Sequence, residues 1–447
     1  MRRRNIIILL FIFSLVVNLF AMVSSSVIWW DEGIYSGLGW GLSGDLFNYS
    51  FKGFGDFTSD GSTEAGFRAP LLPFVLSLVY AVFGNSQLIP RLVVPVFSAI
   101  GVIGLYLLAE KMFNSKIALY SSLLMTSIPM YMYYSGKILT DTFSVCFMIF
   151  AGLFFWMGFI ENKNIFKILC GAFCGLSILA RFTGVLLPII FGVYYLLSKK
   201  NLNFLKDKWF YGAVIVFLLV LAPWLFYSWQ TYGDILGFFW HAQTASTYWG
   251  GLQSWDYLFW YFPVMFSFGL LLFGAGLVFS LKKFDNKKGF LLLWVLVFLL
   301  FTTFLMQHKE DRFLMPIVPM LAIMGGYSIT KLDKRIFVGI LILTLLSGGV
   351  GLYNQLGSYS DSHLCYLESL EFIKSLEGEI VFTQNSPVTY FYTHKKTFYP
   401  VDNKFITNTL NGQIGYLISS DYEGEYDYPG GKEIFNCKNK TFVFEIN

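Results

Sequence analysis

The sequence predicts a multi-span α-helical membrane protein of about 11 transmembrane helices, carrying a small C-terminal external α/β domain. Three observations predict it. The 447 residues are 55% hydrophobic and only 13% charged, with 49 Phe, far more apolar than a soluble average. The apolar runs have the length of a bilayer-crossing helix, about 20 residues, and lack the ten-residue alternation of an outer-membrane barrel. After about residue 354 the composition turns polar and mixed. The formal net charge of +4 decides little, because on a membrane protein the placement of charge matters more than its sum. It implies no nucleic-acid partner.

Segments free of Asp, Glu, Lys and Arg place spans near 5–24, 92–109, 117–136, 142–160, 168–180, 182–198, 209–230, 257–281, 289–307, 313–330 and 336–353. The first, "MRRRNIIILLFIFSLVVNLFAMVSSS", also fits a signal peptide. Its apolar run exceeds the usual h-region, so an uncleaved span is expected. The stretch "PLLPFVLSLVYAVFG", Pro70 to Gly84, is apolar but short, with two Pro in its first turn. Cation placement decides how to read it. If it does not cross, Arg2 to Arg4, "SKKNLNFLKDK", "KKFDNKK" and Lys331 to Arg335 all fall on one side, which the positive-inside rule makes cytoplasmic. The segment is therefore read as an interfacial or re-entrant helix. The N-terminus is then inside and the C-terminus outside, on a multi-pass plasma-membrane protein.

The chain divides into a membrane domain, 1–353, whose external loop 25–90 carries interfacial helices, and a tail domain, 354–447. In the tail, "GEIVFT", "GYLISS" and "KTFVFEI" read as short strands and Leu364 to Leu376 as an amphipathic helix. Cys365 and Cys437 both lie outside, so a disulfide is one of two open states. Cys146, Cys170 and Cys174 lie in spans as packing residues, and no zinc spacing is present. The triplets Asn48 to Ser50 and Asn439 to Thr441 fit glycosylation acceptors, a pattern frequent by chance.

With that topology, the charges of the outer loops form a short set: Asp31 and Glu32 in "WWDEGIY", Arg68, Arg91, Lys137, Asp141, Arg181, and "HKEDR", His308 to Arg312. All sit near span ends, and the span interiors carry no ionisable residue. A transporter would be expected to place such residues at mid-depth. Each has a bland reading. Lone Lys or Arg at a helix end snorkels, tandem Trp is ordinary at an interface, and an acid in a first helical turn is favoured by the dipole. Their convergence from separate loops favours an outer cleft holding both signs, suited to an anionic leaving group departing while a hydroxyl loses a proton.

The order "WWDEGIY", "RAPLLPFVLSLVYAVFGNSQLIPRL", "YSGKILTDT", "GLSILARFTGVLLP" and "HKEDRFLMPIVP" resembles the GT-C glycosyltransferases of the protein O-mannosyltransferase and aminoarabinose-transferase type, over about residues 5–335. The sequence departs from that pattern at Arg68-Ala69-Pro70-Leu71, where relatives often show two prolines, and in its short tail. The resemblance implies an inverting transfer of a sugar, a mannose-like hexose or another, from a polyprenyl or dolichyl phosphate. The acceptor is a hydroxyl or amine of a protein, lipid or glycan on the extracytoplasmic face. A polyprenyl phosphate leaves without protonation, so one base suffices. By that analogy Asp31 is the general base and Glu32 supports it or is a solvated bystander. Arg68 is the first ligand of the donor phosphate, followed by Lys309 and Arg312, then Arg181 and Lys137. Asp141 joins the catalytic set, with alternatives open: orienting a cation, binding acceptor, or ligating a divalent metal with Asp31. The sequence requires no metal or other cofactor. Tyr35 and His308 complete the candidate site, although a loop histidine is the commoner reading of His308. All of them are expected around one water-filled notch at the outer headgroup level. The interfacial helix is expected to wall a groove for the isoprenoid chain, and the aromatic stretch Thr231 to Gly251 to stack sugar or acceptor, or to form an interfacial belt. A lipid-linked glycan flippase without catalysis is the rival from a different class.

Overall fold

The computed structural model describes residues 2–25, 29–46, 49, 68–84, 86–250, 253–357, 360–400, 402–422, 425–426, 428 and 430–447. Nineteen α-helices appear among them. They are α1 (Arg3–Ser24), α2 (Trp30–Gly44), α3 (Leu71–Phe83), α4 (Val93–Met112), α5 (Ser115–Ser127), α6 (Pro129–Ser135), α7 (Thr140–Phe155), α8 (Asn164–Ala180), α9 (Leu186–Lys199) and α10 (Lys208–Tyr232). The series continues with α11 (Gly237–Gly250), α12 (Tyr257–Phe266), α13 (Gly269–Lys282), α14 (Asn286–Leu300), α15 (Val318–Tyr327), α16 (Lys334–Gly357), α17 (Asp361–Lys374), α18 (Ser386–Thr393) and α19 (Asn403–Leu410).

All eleven expected spans are helical, but three differ in form. Among the described residues eight helices are long and apolar enough to cross a membrane. The segment 117–136 breaks at Ile128, held extended by the ring of Pro129, which then opens α6 at its first position. Segment 168–180 lies in the 17-residue α8. Segment 257–281 is bent by 109° between α12 and α13, where Ser267 takes φ 49. The aromatic stretch Thr231 to Gly251, expected as a loop, largely forms α11; Gly251 lies outside the described residues.

Contacts divide the chain into two compact units. One holds Met1–Ser24, Ala69–Leu71 and Val94–Tyr353. The other holds Ser25–Arg68, Leu72–Val93 and Asn354–Asn447. The division expected at 353/354 is thus not the one the packing makes: the segments after the first span fold with the tail. The reason is steric fit, set out below.

In the larger unit, helices meet through small residues, as apolar helices do where solvent gives little drive to associate. A Cβ on Gly171 of α8 would lie 2.1 Å from the Ala213 carbonyl oxygen of α10, and one on Gly326 of α15 would lie 2.2 Å from Ser121 Oγ of α5. Asn18, inside α1 and fully buried, donates to the Pro95 carbonyl at 3.1 Å and accepts from Ser135 Oγ at 2.9 Å, so its amide is satisfied away from water.

In the smaller unit, a five-stranded mixed sheet has the order β2-β1-β3-β5-β4, with β1 Ile380–Phe382, β2 Lys396–Phe398, β3 Gly415–Ser420, β4 Lys432–Cys437 and β5 Thr441–Ile446. β1 runs parallel to β2 and β3; β5 runs antiparallel to β3 and β4. Ile380, Phe382, Leu417 and Ile446 of the sheet close a core with Ile406 and Leu410 of α19. The three expected strands and the helix are present. The strands β2 and β4 escaped the sequence reading because three-residue and half-exposed strands carry little alternation. Cys365 and Cys437 form a disulfide that ties α17 to β4. Asn439 of one glycosylation triplet is exposed on the β4–β5 turn; Asn48 and Ser50 of the other lie outside the described residues.

The helix α3 has 13 residues, about 20 Å at 1.5 Å per residue, short of a hydrocarbon core of about 30 Å. Leu72, Leu76 and Tyr80 are buried on one face, while Phe74, Leu78 and Val82 are exposed on the other. That two-faced apolar profile agrees with a helix lying along the interface.

Candidate active site

The residues singled out from the sequence gather in two groups, one inside each unit. In the smaller unit, α2 begins at Trp30 immediately after the extended Trp29. Glu32, at the third helical position, accepts the Trp29 backbone N–H at 2.8 Å and is 3% exposed. That bond satisfies one of the amides a helix start leaves open. Glu32 is therefore not the solvated bystander the sequence allowed; it fixes where α2 starts and hence where Asp31 points. Asp31 Oδ1 meets Arg68 Nη1 at 2.6 Å, both side chains being about five-sixths buried. The Arg68 guanidinium also lies 5.7 Å from the centre of the buried Tyr35 ring, a cation–π position. Its backbone carbonyl accepts from Tyr49 Oη at 3.3 Å.

The packing beneath α2 explains its partnership with the tail. A Cβ on Gly33 would lie 2.6 Å from the Pro387 backbone of α18, and a Cβ on Gly39 would lie 2.6 Å from Leu76 Cβ of α3. Ser36 Oγ and Tyr80 Oη share a hydrogen bond of 2.5 Å, and Trp40 meets Tyr80 edge to face. Gln87 donates to the Tyr392 carbonyl at 3.1 Å, and Arg91 donates to the Ser25 carbonyl. So α2 is wedged between α3 and α18.

In the larger unit, Asp141 sits in the first turn of α7, an end that favours an anion. It is 1% exposed and meets Arg181 Nη1 at 2.5 Å and Arg312 Nη1 at 3.9 Å. Arg181, extended between α8 and the turn that follows, also donates to Thr140 Oγ1 at 3.3 Å. Arg312 Nη2 donates to Glu310 Oε1 at 2.8 Å, and its Nε lies 2.7 Å from Oε2 in the same ion pair, a charge-assisted contact. Glu310 reaches His308 Nε2 at 3.0 Å. Phe313 lies between the guanidiniums, 5.0 Å from Arg181 and 5.9 Å from Arg312. Tyr134 Oη donates to Asp311 Oδ1 at 2.6 Å, and Asp311 accepts the Arg312 backbone N–H at 2.8 Å.

Two lysines assigned to the donor phosphate are buried. Lys137 lies over the Tyr133 ring at 4.9 Å. Lys309 donates to the Gln253 carbonyl at 2.9 Å, and burial pushes its pKa below the usual lysine range. Glu310, Asp311, Tyr134, Phe313 and Gln253 were missed as site residues. Glu310 and Asp311 were legible within "HKEDR"; nothing in the sequence marks Tyr134 or Gln253. No three side chains of metal-ligating type converge among the described residues.

Known proteins share this fold and parts of this sequence. A family model described as dolichyl-phosphate-mannose-protein mannosyltransferase matches residues 67–227. The structure superposes on the ArnT crystal structure from Cupriavidus metallidurans bound to undecaprenyl phosphate, with TM-score 0.77 over 99% of this chain and 98% of that one, at 15% identity. The chain has the GT-C glycosyltransferase fold. An archaeal oligosaccharyltransferase from Archaeoglobus fulgidus, in complex with an inhibitory peptide and a dolichol phosphate, matches more distantly, with TM-score 0.60 and 13% identity over 98% of this chain and 74% of that one. Among curated relatives, an undecaprenyl phosphate-alpha-4-amino-4-deoxy-L-arabinose arabinosyl transferase of Pseudomonas fluorescens is 25% identical over 314 residues, 64% of this chain and 55% of that protein. GPI alpha-1,2-mannosyltransferase 3 of Xenopus laevis is 25% identical over 316 residues, 66% of this chain and 56% of that protein. The match therefore spans about half the length of these GT-C relatives. The resemblance read from five motifs and the membrane fold class are both borne out.

Proposed function

We propose that the protein is an inverting glycosyltransferase that moves a sugar from a polyprenyl phosphate to an acceptor hydroxyl or amine. The observation that carries this reading is the Asp31–Arg68 ion pair at the start of α2, 2.6 Å long and partly open. A guanidinium paired with one carboxylate can exchange it for the oxygens of a phosphate, a planar, bidentate match. The exchange would release Asp31 to accept a proton. In the transfer step the acceptor O–H or N–H proton passes to Asp31 as the acceptor atom bonds to the anomeric carbon from the face opposite the phosphate. The bond from that carbon to the phosphate oxygen breaks, and its electron pair leaves with the polyprenyl phosphate, whose growing charge Arg68 stabilises. Glu32 holds the helix start and Tyr35 backs the guanidinium.

Asp141, buried between two guanidiniums, is better suited to fixing Arg181 and Arg312 than to proton transfer. Those cations, with Lys309 and Lys137, keep their assignment to anionic substrate groups, with the difference that carboxylates or carbonyl oxygens already engage most of them. The inverting chemistry, the extracytoplasmic face and the external tail belong to the same proposal, supported by the crowding of cations in the opposite loops.

The test is to incubate the purified full-length protein with polyprenyl-phosphate sugars and an extract of envelope acceptors, following release of polyprenyl phosphate and the glycosylated product by mass spectrometry. A new glycosidic bond with inverted configuration is expected. Movement of intact lipid-linked sugar across a vesicle with no bond formed would replace the transferase with the flippase.

A further inference from the structure

The cations of the "KKFDNKK" and "KLDKR" loops take no part in the chemistry above, yet three of them, Lys287, Lys288 and Lys331, line a hollow of about 780 Å³ in the larger unit. Its walls include Phe113, Asp285, Lys287, Lys288, Tyr327 and Lys331. It lies at the end of α14 remote from the His308 to Arg312 turn: α14 runs from this hollow toward that turn, and the segment from Asp311 through α15 runs back.

We propose that this hollow binds the phosphate of an anionic phospholipid headgroup. Asp285 does not oppose an anion there, because it is already engaged. Its Oδ1 accepts the Lys288 backbone N–H at 3.0 Å and its Oδ2 meets Lys288 Nζ at 3.0 Å. Lys288 is also held over the Tyr327 ring at 4.9 Å and by the Lys283 carbonyl. Lys287, 5.8 Å from the Phe113 ring, and Lys331 form no ion pair among the described residues and are exposed, leaving two ammonium groups in the lining to receive phosphate oxygens. The N-terminal ends of α5 and α14 adjoin the hollow and add partial positive charge.

A lipid fits better than a free anion because the segments that carry the lining lysines are apolar as well as basic. Phe284, Leu281 and Ile336 are exposed beside Lys282, Lys283, Lys334 and Arg335, an arrangement that takes acyl chains and headgroup together. Basic pockets between membrane helices on the positive side are known to hold anionic lipids.

The experiment is native mass spectrometry of the full-length protein in detergent with phosphatidylglycerol, phosphatidylcholine and inorganic phosphate as probes. Phosphatidylglycerol is expected to stay bound and phosphatidylcholine not. The double variant Lys287→Gln/Lys331→Gln should bind phosphatidylglycerol about thirtyfold more weakly, from loss of two surface cations, and Lys287→Arg/Lys331→Arg should restore it. An unchanged thermal midpoint without lipid shows that the variants fold. Equal binding by the wild type and the Gln variant, equal retention of phosphatidylcholine, or displacement by inorganic phosphate would overturn the proposal.

Discussion

Asp31 and Asp141 are both aspartates at the start of a helix, both paired to arginine, and they are built for different work. Among the described residues Asp31 meets the Arg68 guanidinium and is 17% exposed, whereas Asp141 meets those of Arg181 and Arg312 and is 1% exposed. Around Asp141 charges of both signs meet: Asp141, Glu310 and Asp311 stand with Arg181 and Arg312, linked by hydrogen bonds. A network of that kind is costly to open, because any member removed leaves a buried charge without compensation. The simpler pair can be exchanged. Motif chemistry alone had placed both carboxylates in the catalytic set; burial is what distinguishes them.

The comparison can be broken most directly at Asp31. Asp31→Asn is expected to lower turnover by about 10²–10⁴, the usual worth of a positioned general base, with the protein still inserted and folded. Turnover within a factor of three of wild type would move the base elsewhere. Arg181→Leu comes next and should act on stability, by about 3 kcal/mol, since it strips the closest partner from a buried carboxylate. A thermal midpoint unchanged in detergent would show Asp141 to be less committed than its burial implies.

A smaller effect tests the wedge under Asp31. Gly33→Val places atoms against the Pro387 backbone and should cost about 1–3 kcal/mol, loosening α2 and the tail together and lowering turnover without touching a reacting group. Normal activity with an intact tail would mean that α2 needs no support from α18. Smaller still is a pH effect on the same unit. Burial, and secondarily Lys374, pushes the His394 pKa from its usual 6.5 to about 4. The unfolded chain therefore binds the proton more readily, so stability is complete above about pH 6.5 and falls progressively as pH drops toward 4. His394→Gln should flatten the thermal midpoint across that window; an unchanged slope would assign the acid sensitivity to other groups.

Much of the candidate site was legible because the motifs are short. Asp31, Glu32 and Tyr35 share one stretch, and His308 to Arg312 another, so covalent neighbourhood alone kept them together. What joins distant segments was not legible. Nothing local couples Asp31 to Arg68, Asp141 to Arg181, or Tyr134 to Asp311; each contact exists only when separate stretches of the chain are brought within 3 Å. The division of the chain was obscured for the same reason. Composition changes near residue 354, but packing follows shape, and the missing side chain of Gly33 admits the Pro387 backbone.

By itself, then, the sequence determined the membrane helices, the short apolar α3, three of the five strands and the family likeness, since these follow from hydrophobic period, run length and residue order. Only the tertiary structure decided which carboxylate is walled in and which stays open, that Glu32 caps a helix, and that the tail folds with α2. Those depend on burial and on atoms meeting across the chain, and neither quantity is carried by any local stretch of residues.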